Sequence, residues 1–192
     1  HGLRLLAYRN LKAIGYNDDE IKAFASENNV NTINDEGEIV ERPARPSDRF
    51  VSPYPNDQAA RAANGGAYPP DLSLIVKARP DGANYLHALL TGYVDAPAEK
   101  KVPDGMYYNK YYSGNLIGMP QPLYDDGVEY ADGTKATPEQ MAKDVTAFLA
   151  WASEPEMEDR KRLGISVILF LLLLTLLSYF AMKQIWAPIK NK

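Results

Sequence analysis

Met119 lies in a stretch that restricts its backbone, "NLIGMPQPL", with Gly118 before it and Pro120 after it. A proline fixes its own φ and drives the preceding residue toward extended conformations, so few backbone conformations are open to this methionine. A thioether held in this way suits a metal ligand, because sulfur is a soft donor that binds haem iron opposite a histidine. Packing is the commoner role of a methionine in a loop, so the residues alone leave both interpretations open.

Few other side chains in the sequence could do chemistry. The chain has two histidines, His1 and His87, and no cysteine, which leaves no thiol nucleophile, zinc cluster or disulfide framework in this sequence. It has no P-loop, HExxH, GxSxG or dinucleotide-binding pattern, which argues against an ordinary hydrolase or kinase. A histidine early and a methionine late is the order typical of a c-type cytochrome. His87 falls off the apolar side of its predicted helix, which predicts a surface or edge position.

Residues 163–182 form an uncharged run, "LGISVILFLLLLTLLSYFAM", and a helix of this length spans the roughly 30 Å hydrocarbon core of a bilayer. The run follows "DRKR" and precedes Lys183, and Tyr179 and Trp186 are aromatic residues of the kind found at membrane interfaces. We therefore predict a transmembrane helix at about 163–182, with a buried core helix as the alternative. Basic residues on both sides leave its orientation open.

Charge divides the chain into two parts, a predicted domain at 1–159 and an anchor with a short basic tail at 160–192. All 25 acidic residues lie in the first part with 15 of the 21 Lys and Arg, so its net charge is −10, against +6 in the second. An acidic domain tethered to a bilayer would attract a basic partner and speed its encounter, although acidity also serves solubility alone. It would repel a phosphate backbone, so nucleic acid is not an expected partner.

Short helices separated by irregular segments are predicted for the domain. Leu3, Leu6, Leu11 and Ile14 recur at near-helical spacing, which predicts an amphipathic helix that begins within a residue or two of His1 and ends at Gly15. Four more helical segments are predicted: one capped by Asn17 or Asp18, one at 57–64, one ending at Gly92, and one in which Thr137, Pro138 and Gln140 form a capping box.

Two segments are predicted to be irregular. Repeated prolines prevent long regular elements from 40 to 70, and long loops in compact domains are uncommon unless they bind something. We therefore expect a bound group to complete the core. The extended segment before Met119 carries clustered tyrosines that are predicted to pack against the domain: Tyr107, Tyr108, Tyr111 and Tyr112.

Five stretches together resemble the cytochrome c1 family, the membrane-anchored c-type haem subunits of cytochrome bc1 complexes. They are "HGLRLLAYRNL", "SPYPNDQAARAANGGAYPPDLSLIVKAR", "LLTGY", "IGMPQPLYDDGVEYADGT" and "KDVTAFLAWASEPEMEDRKRLG". The resemblance covers essentially the whole chain. It implies a mostly α fold, a c-type cytochrome domain with long irregular loops, and one C-terminal transmembrane helix.

The resemblance also implies a set of site residues. His1 matches the histidine of the CxxCH haem-attachment motif, and Met119 matches the second axial ligand of the iron. The implied cofactor-binding positions are Asn64 and Pro70 near the macrocycle, Arg79 and Tyr85 at a propionate, and Ile117 and Pro120 beside the methionine. An arginine suits such a position because its guanidinium pairs with a carboxylate in bidentate geometry; the alternative is a surface arginine beside Pro80.

One haem c is implied, attached covalently through two cysteines that are expected immediately upstream of His1. Both are absent from this sequence. We expect the sequence to be the remainder of a longer chain, whose missing part would also carry a secretion signal.

The function implied by the resemblance is electron transfer, by a redox subunit that is not an enzyme by itself. One electron would come from the Rieske iron-sulfur protein and leave to a soluble or membrane-bound cytochrome c. Cytochrome b and the lipid bilayer are further expected partners, in a dimeric complex. The haem domain is expected on the periplasmic side of a bacterial inner membrane with the C-terminus cytoplasmic, and the mitochondrial inner membrane is the equivalent alternative.

A group of carboxylates near Met119 is a candidate for docking a basic acceptor, or else a solvated turn: Asp125, Asp126, Glu129 and Asp132. Two other functions stay open on the residues alone. A non-redox, membrane-tethered acidic interaction module would use Met119 and the tyrosines as core. An anchored hydrolase would need a nucleophile and base that His1 and His87 do not supply.

Overall fold

The computed structural model describes residues 2–190, with the backbone alone for 189 and 190. The chain divides into two compact units between Glu154 and Pro155. The mostly α chain with long irregular loops that the sequence predicts is confirmed. In the described residues the elements are a 3-10 helix at Tyr8–Ile14, α1 at Asp18–Ser26, β1 at Asn29–Ile33, β2 at Ile39–Pro43, α2 at Asp57–Ala63, α3 at Gly82–Thr91, β3 at Tyr107–Tyr108, β4 at Leu116–Ile117, α4 at Pro138–Ser153 and α5 at Met157–Lys190.

The N-terminal segment differs from its prediction. Only Tyr8–Ile14 is helical there, as a 3-10 helix. The residues before it pair with another segment instead: the Leu72 amide donates to the Gly2 carbonyl at 2.8 Å, and the Leu5 amide donates to Ser73 Oγ at 3.0 Å. The predicted stop at Gly15 is confirmed, since Gly15 caps the 3-10 helix with a φ of 106°. The predicted start near the first residue is wrong, because these tertiary partners satisfy backbone groups that a helix would have paired.

A first buried cluster lies among the N-terminal helices and the β1–β2 hairpin. Its members are Tyr8, Leu11, Ile21, Ala25 and Ala44. The Tyr8 ring stacks on Phe50 with centroids 4.5 Å apart. The predicted cap of α1 is confirmed, since the Asn17 side chain accepts from the Glu20 amide at 2.9 Å. The antiparallel pairing of β1 with β2 was not predicted; it brings Ile33 opposite Ile39.

A second buried cluster lies between α3 and α4 and consists of Ile75, Leu86 and Leu149. Both helices agree with their predictions. Helix α3 ends at Gly92, and α4 begins after Thr137, whose hydroxyl accepts from the Gln140 amide at 3.2 Å. The Gln140 side chain donates to the Asp144 carboxylate instead of turning back to the helix start, so only one half of the predicted capping box forms.

The second unit is dominated by α5, which is longer than the apolar run that predicted it. Residues Met157–Pro188 form a candidate membrane span. Its most apolar window of 18 residues has a mean hydropathy of 2.5, and none of that window is buried. A helix packed in a protein core would bury that surface. The exposure therefore favours the membrane span over the alternative of a core helix.

Candidate haem-binding site

Met119 follows the short β3–β4 hairpin, in which Tyr107 pairs with Ile117. Met119 lies two residues beyond the end of β4 and is 37% exposed. Its carbonyl accepts a hydrogen bond from the Tyr93 hydroxyl at 3.1 Å. The backbone is thus held in place while the thioether stays accessible, which is the combination that a ligand requires.

The segment after α2 lies beside the methionine. The Asn64 side-chain amide donates to the Ala60 carbonyl at 2.7 Å, which closes the end of α2. The Asn64 carbonyl accepts from the Ala67 amide at 3.0 Å, and a Cβ placed on Gly118 would lie 3.5 Å from the Ala67 Cβ. Asn64 and the Met119 loop, which are far apart in sequence, are therefore neighbours.

Asn109 connects this loop to α3, and the sequence analysis did not single it out. It is fully buried, and its Nδ2 donates to the Leu89 carbonyl in the last turn of α3 at 2.8 Å. Its Oδ1 accepts from the amides of Tyr111 and Tyr112 at 3.0 and 3.2 Å, and its amide donates to the Asn115 carbonyl at 2.9 Å. Both the amide nitrogen and the oxygen of this buried side chain form hydrogen bonds, and these bonds fix the position of the hairpin relative to the helix.

Arg79 and Tyr85 lie near the second cluster. Tyr85, in α3, is partly buried and packs against it. Arg79 is exposed, and its Nη1 donates to the Ala78 carbonyl at 3.2 Å. Among the described residues Arg79 has no carboxylate partner, so its guanidinium is available to a carboxylate from elsewhere.

A cleft of about 480 Å³ is lined in part by Ala78, the residue before Arg79 in the chain. Arg4 Nε lies 2.8 Å from Asp71 Oδ2 across it. Burial raises the pKa of Asp71, but hydrogen bonds from Ser73 and Arg4 outweigh burial and hold that pKa at about 2. Asp71 is therefore ionised, and its negative charge offsets the positive charge of Arg4. The cleft is lined by Arg4, Leu5, Arg49, Asp71, Leu74, Ile75 and Ala78; Met119 is not among these residues.

His1 lies outside the described residues, but the two residues that follow it are anchored. Gly2 has a φ of 82°, in the left-handed region, and a Cβ there would lie 2.9 Å from Pro53 Cδ. A glycine is required at this position for both reasons. Leu3 packs against the second buried cluster, as Tyr85 does.

The four tyrosines predicted to pack against the domain do so to different degrees, and the Tyr111 ring lies against the end of α3, with its Cδ2 2.6 Å from a Cβ placed on Gly92. Tyr107, Tyr111 and Tyr112 are 42%, 51% and 36% exposed, whereas Tyr108 is partly buried. Their hairpin is too short to turn every ring inward. His87 agrees with its prediction as an edge residue: its side chain is 30% exposed and Nε2 lies 3.1 Å from Glu139 Oε1.

The four carboxylates after Met119 lie on exposed turns. Asp126 has a φ of 56° and its amide donates to the Ala136 carbonyl at 2.9 Å. The Thr134 amide donates to Asp132 Oδ1 at 2.9 Å, and this hydrogen bond lowers the pKa of Asp132. Within residues 2–190 no three His, Asp or Glu side chains converge as a metal site.

The predicted site residues thus form two groups. Partly buried Ile117, Met119 and exposed Pro120 share one loop, which meets the segment after Asn64 where Gly118 approaches Ala67. Tyr85 packs against the second cluster, and Arg79 follows Ala78 of the cleft lining. Pro70 is exposed and precedes Asp71 of the cleft lining. Helix α3 links the groups, because Tyr85 is in its first half and Tyr93 follows its end.

Comparison with known proteins identifies the family. The family model described as the Cytochrome C1 family matches residues 1–189. The chain is 50% identical over its whole length to a mitochondrial cytochrome c1 heme protein of Arabidopsis thaliana, and it spans 63% of that protein. It is also 50% identical to a mitochondrial cytochrome b-c1 complex catalytic subunit of Candida albicans and 45% identical to cytochrome c1 of Rhodospirillum rubrum. Both matches cover the whole of this chain, and they cover 67% of the first relative and 76% of the second. The chain belongs to the cytochrome c1 family.

Proposed function

We propose that this chain is the haem-carrying electron-transfer subunit of a cytochrome bc1 complex, with His1 and Met119 as the axial ligands of one haem c. The observation that carries the proposal is the exposed thioether of Met119 on an anchored backbone, in a chain of the cytochrome c1 family. When bound, the haem supplies one-electron redox chemistry at a potential that methionine ligation raises.

The donor set and surroundings of Met119 fit a haem. A thioether that packs in no core is available as a soft ligand, and Asn64 and Ile117 offer a partly buried wall beside it. Pro70 and Pro120 would complete the contacts with the macrocycle. Arg79, whose described partners include no carboxylate, and Tyr85 would bind a propionate. We propose attachment through two cysteines that precede His1 in the complete protein.

The anchoring of Gly2 and Leu3 supports His1 as the other ligand. His1 is bonded to Gly2, whose carbonyl accepts from the Leu72 amide at 2.8 Å. Leu3 packs on the cluster that also carries Tyr85. The segment that follows His1 in the chain is therefore anchored beside Tyr85, which is proposed to bind a propionate.

One-electron exchange requires no general acid or base from the chain, so we propose a redox subunit that is not an enzyme by itself. The name of the Candida relative calls that protein a catalytic subunit; here the catalysis would belong to the whole complex. The electron would come from the Rieske iron-sulfur protein and leave to a soluble or membrane-bound cytochrome c. A basic acceptor would dock beside the acidic turns that follow Met119: Asp125, Asp126, Glu129 and Asp132.

Helix α5 would anchor the domain in the bilayer beside cytochrome b, in a dimeric complex. The haem domain would face the periplasm of a bacterium, or the intermembrane space in the mitochondrial equivalent, with the C-terminus on the opposite side. Curated relatives come from both kinds of membrane.

The first test is an oxidised and a dithionite-reduced spectrum of the protein purified from its native membrane, with a pyridine haemochrome assay and an intact mass. We expect a c-type spectrum and the added mass of one haem. A colourless protein whose mass equals that of the polypeptide would instead favour the acidic, non-redox interaction module.

The ligand assignment is tested by Met119→Leu, which conserves volume but removes the sulfur. We expect loss of methionine-ligated low-spin haem and a fall in reduction potential, within the roughly 0.8 V over which axial ligands set haem potentials. Met106→Leu is the matched control, because Met106 Sδ lies 4.0 Å from a Cβ placed on Gly118 and so borders the same loop. Equal spectra and potentials for both variants would contradict the assignment.

A further inference from the structure

Within residues 2–190, no strand pairs with the Met119 loop at the methionine. Strand β4 ends at Ile117, so the pairing with β3 stops before Gly118. Pro120 has no amide hydrogen to donate. From outside the loop, Tyr93 Oη reaches the methionine backbone and donates to the Met119 carbonyl at 3.1 Å.

Tyr93 is itself attached to the rigid part of the domain. It follows Gly92 at the end of α3 and forms an antiparallel bridge with Asn109. The Lys110 amide donates to the Gly92 carbonyl at 2.9 Å, and the fully buried Asn109 donates to the Leu89 carbonyl. Movement of Tyr93 relative to α3 would break these hydrogen bonds.

The contact is a hydrogen bond between two neutral groups. The Tyr93 hydroxyl donates and the Met119 carbonyl accepts, so no charged side chain is needed to form it.

We propose that Tyr93 is the positioning residue for Met119: its hydroxyl fixes the Met119 carbonyl relative to α3 and thereby sets where the thioether points. The inference rests on the proposed function, because it assigns to Tyr93 a role in methionine ligation. Tyr93 would act through the backbone of the ligand, since its hydroxyl contacts the Met119 carbonyl. Without it, the loop beyond β4 samples more conformations, and a smaller fraction of them offers the sulfur to the iron.

The test compares Tyr93→Phe with Tyr111→Phe in the haem-loaded protein purified from membranes. Tyr93→Phe keeps the ring and removes only the hydroxyl. Tyr111 is a tyrosine of the same hairpin region, 51% exposed, whose hydroxyl has no hydrogen bond in the part of the chain that the structure describes. Both variants are titrated with imidazole, which competes with Met119 for the oxidised iron, and their reduction potentials and urea midpoints are measured.

We expect Tyr93→Phe to bind imidazole about two- to tenfold more tightly than the unaltered protein, the range that the loss of one net hydrogen bond allows. Its reduction potential should fall, and Tyr111→Phe should match the unaltered protein in both. Unaltered imidazole affinity and potential in Tyr93→Phe would overturn the inference, whether or not the urea midpoint changes. Met119→Leu distinguishes failure of the Tyr93 inference from failure of the proposed function. If its spectrum equals that of the unaltered protein, the proposed ligation by Met119 itself fails.

Discussion

Asp48 shows how one side chain ties together distant parts of the N-terminal region. Its carboxylate accepts from Arg42 Nη1 at 2.6 Å and from the Arg45 amide at 2.7 Å, and its carbonyl accepts from the Tyr8 amide at 3.1 Å. The hydrogen bonds from Arg42 and Arg45 lower the pKa of Asp48 to about 2. The ion pair thus links β2 to the loop that covers the first cluster.

Asp48→Asn is expected to lower the free energy of unfolding by about 1 kcal/mol at pH 7, a value reduced from the full pKa shift because the pair is partly in water. The folded pKa lies below the unfolded value of about 3.9, so the contribution is present above that pH and disappears as pH falls through about 2. In urea unfolding, the difference in the free energy of unfolding between the variant and the unaltered protein should therefore shrink as pH falls over this window. Asp18→Asn is the control, since its pair with Lys12 has side chains 79% and 67% exposed; an equal loss there would contradict the prediction.

Residue types pointed to some of the proposed site residues and not to others. Met119 could be found because Gly118 and Pro120 restrict its backbone, and the family resemblance added the rest of the proposed set. Asn109 and Tyr93 gave no such signal, because an asparagine or tyrosine before the fold is known has many possible partners. Their partners, Leu89 and Met119, are 20 and 26 residues away, and only the folded chain brings them together.

Among the elements, those with local causes were predictable. The Asn17 cap and the Gly92 stop both act within a few residues, and α1 and α3 formed as expected. The β1–β2 hairpin was missed because its apolar residues do not fall on one face: Val30 packs against the first cluster, whereas Ile33 and Ile39 are 71% and 76% exposed. The N-terminal helix ends at the predicted Gly15. Its start was predicted wrongly for the opposite reason, since distant hydrogen-bond partners overrode the amphipathic spacing of the first residues.

Helix α5 makes a prediction at the scale of one element. Leu173, near its middle, is exposed, and a lysine there would face hydrocarbon if the helix spans a bilayer. Leu173→Lys should disfavour membrane insertion of the helix by about 3 kcal/mol, which lowers the equilibrium constant for insertion roughly a hundredfold. Leu173→Ala should have little effect. Insertion into microsomes, scored by glycosylation sites placed on either side of α5, measures the effect. Equal insertion of the lysine variant would argue against a central membrane position.

The whole molecule is electrically asymmetric. Residues 1–159 carry a net charge of −10, and the remaining residues carry six Lys and Arg and no acidic residue. A field of this kind acts on a diffusing partner before any contact forms, and it is screened over about 10 Å at 0.1 M salt. Net charge alone, however, does not say where a partner docks.

Two variants of equal charge can separate the overall field from a local docking site. One neutralises Asp125, Asp126, Glu129 and Asp132 as amides; the other neutralises Asp35, Glu36, Glu38 and Glu41, which are exposed acids of the β1–β2 hairpin. Asparagine tolerates the left-handed backbone of Asp126, so the first variant keeps its turn. With a basic cytochrome c as the probe, we expect electron-transfer association at low salt to slow about tenfold in the first variant and much less in the second, because steering is strongest for charges at the contact. Equal slowing in both would assign the effect to net charge, and the turns after Met119 would then be solvated surface rather than a docking site.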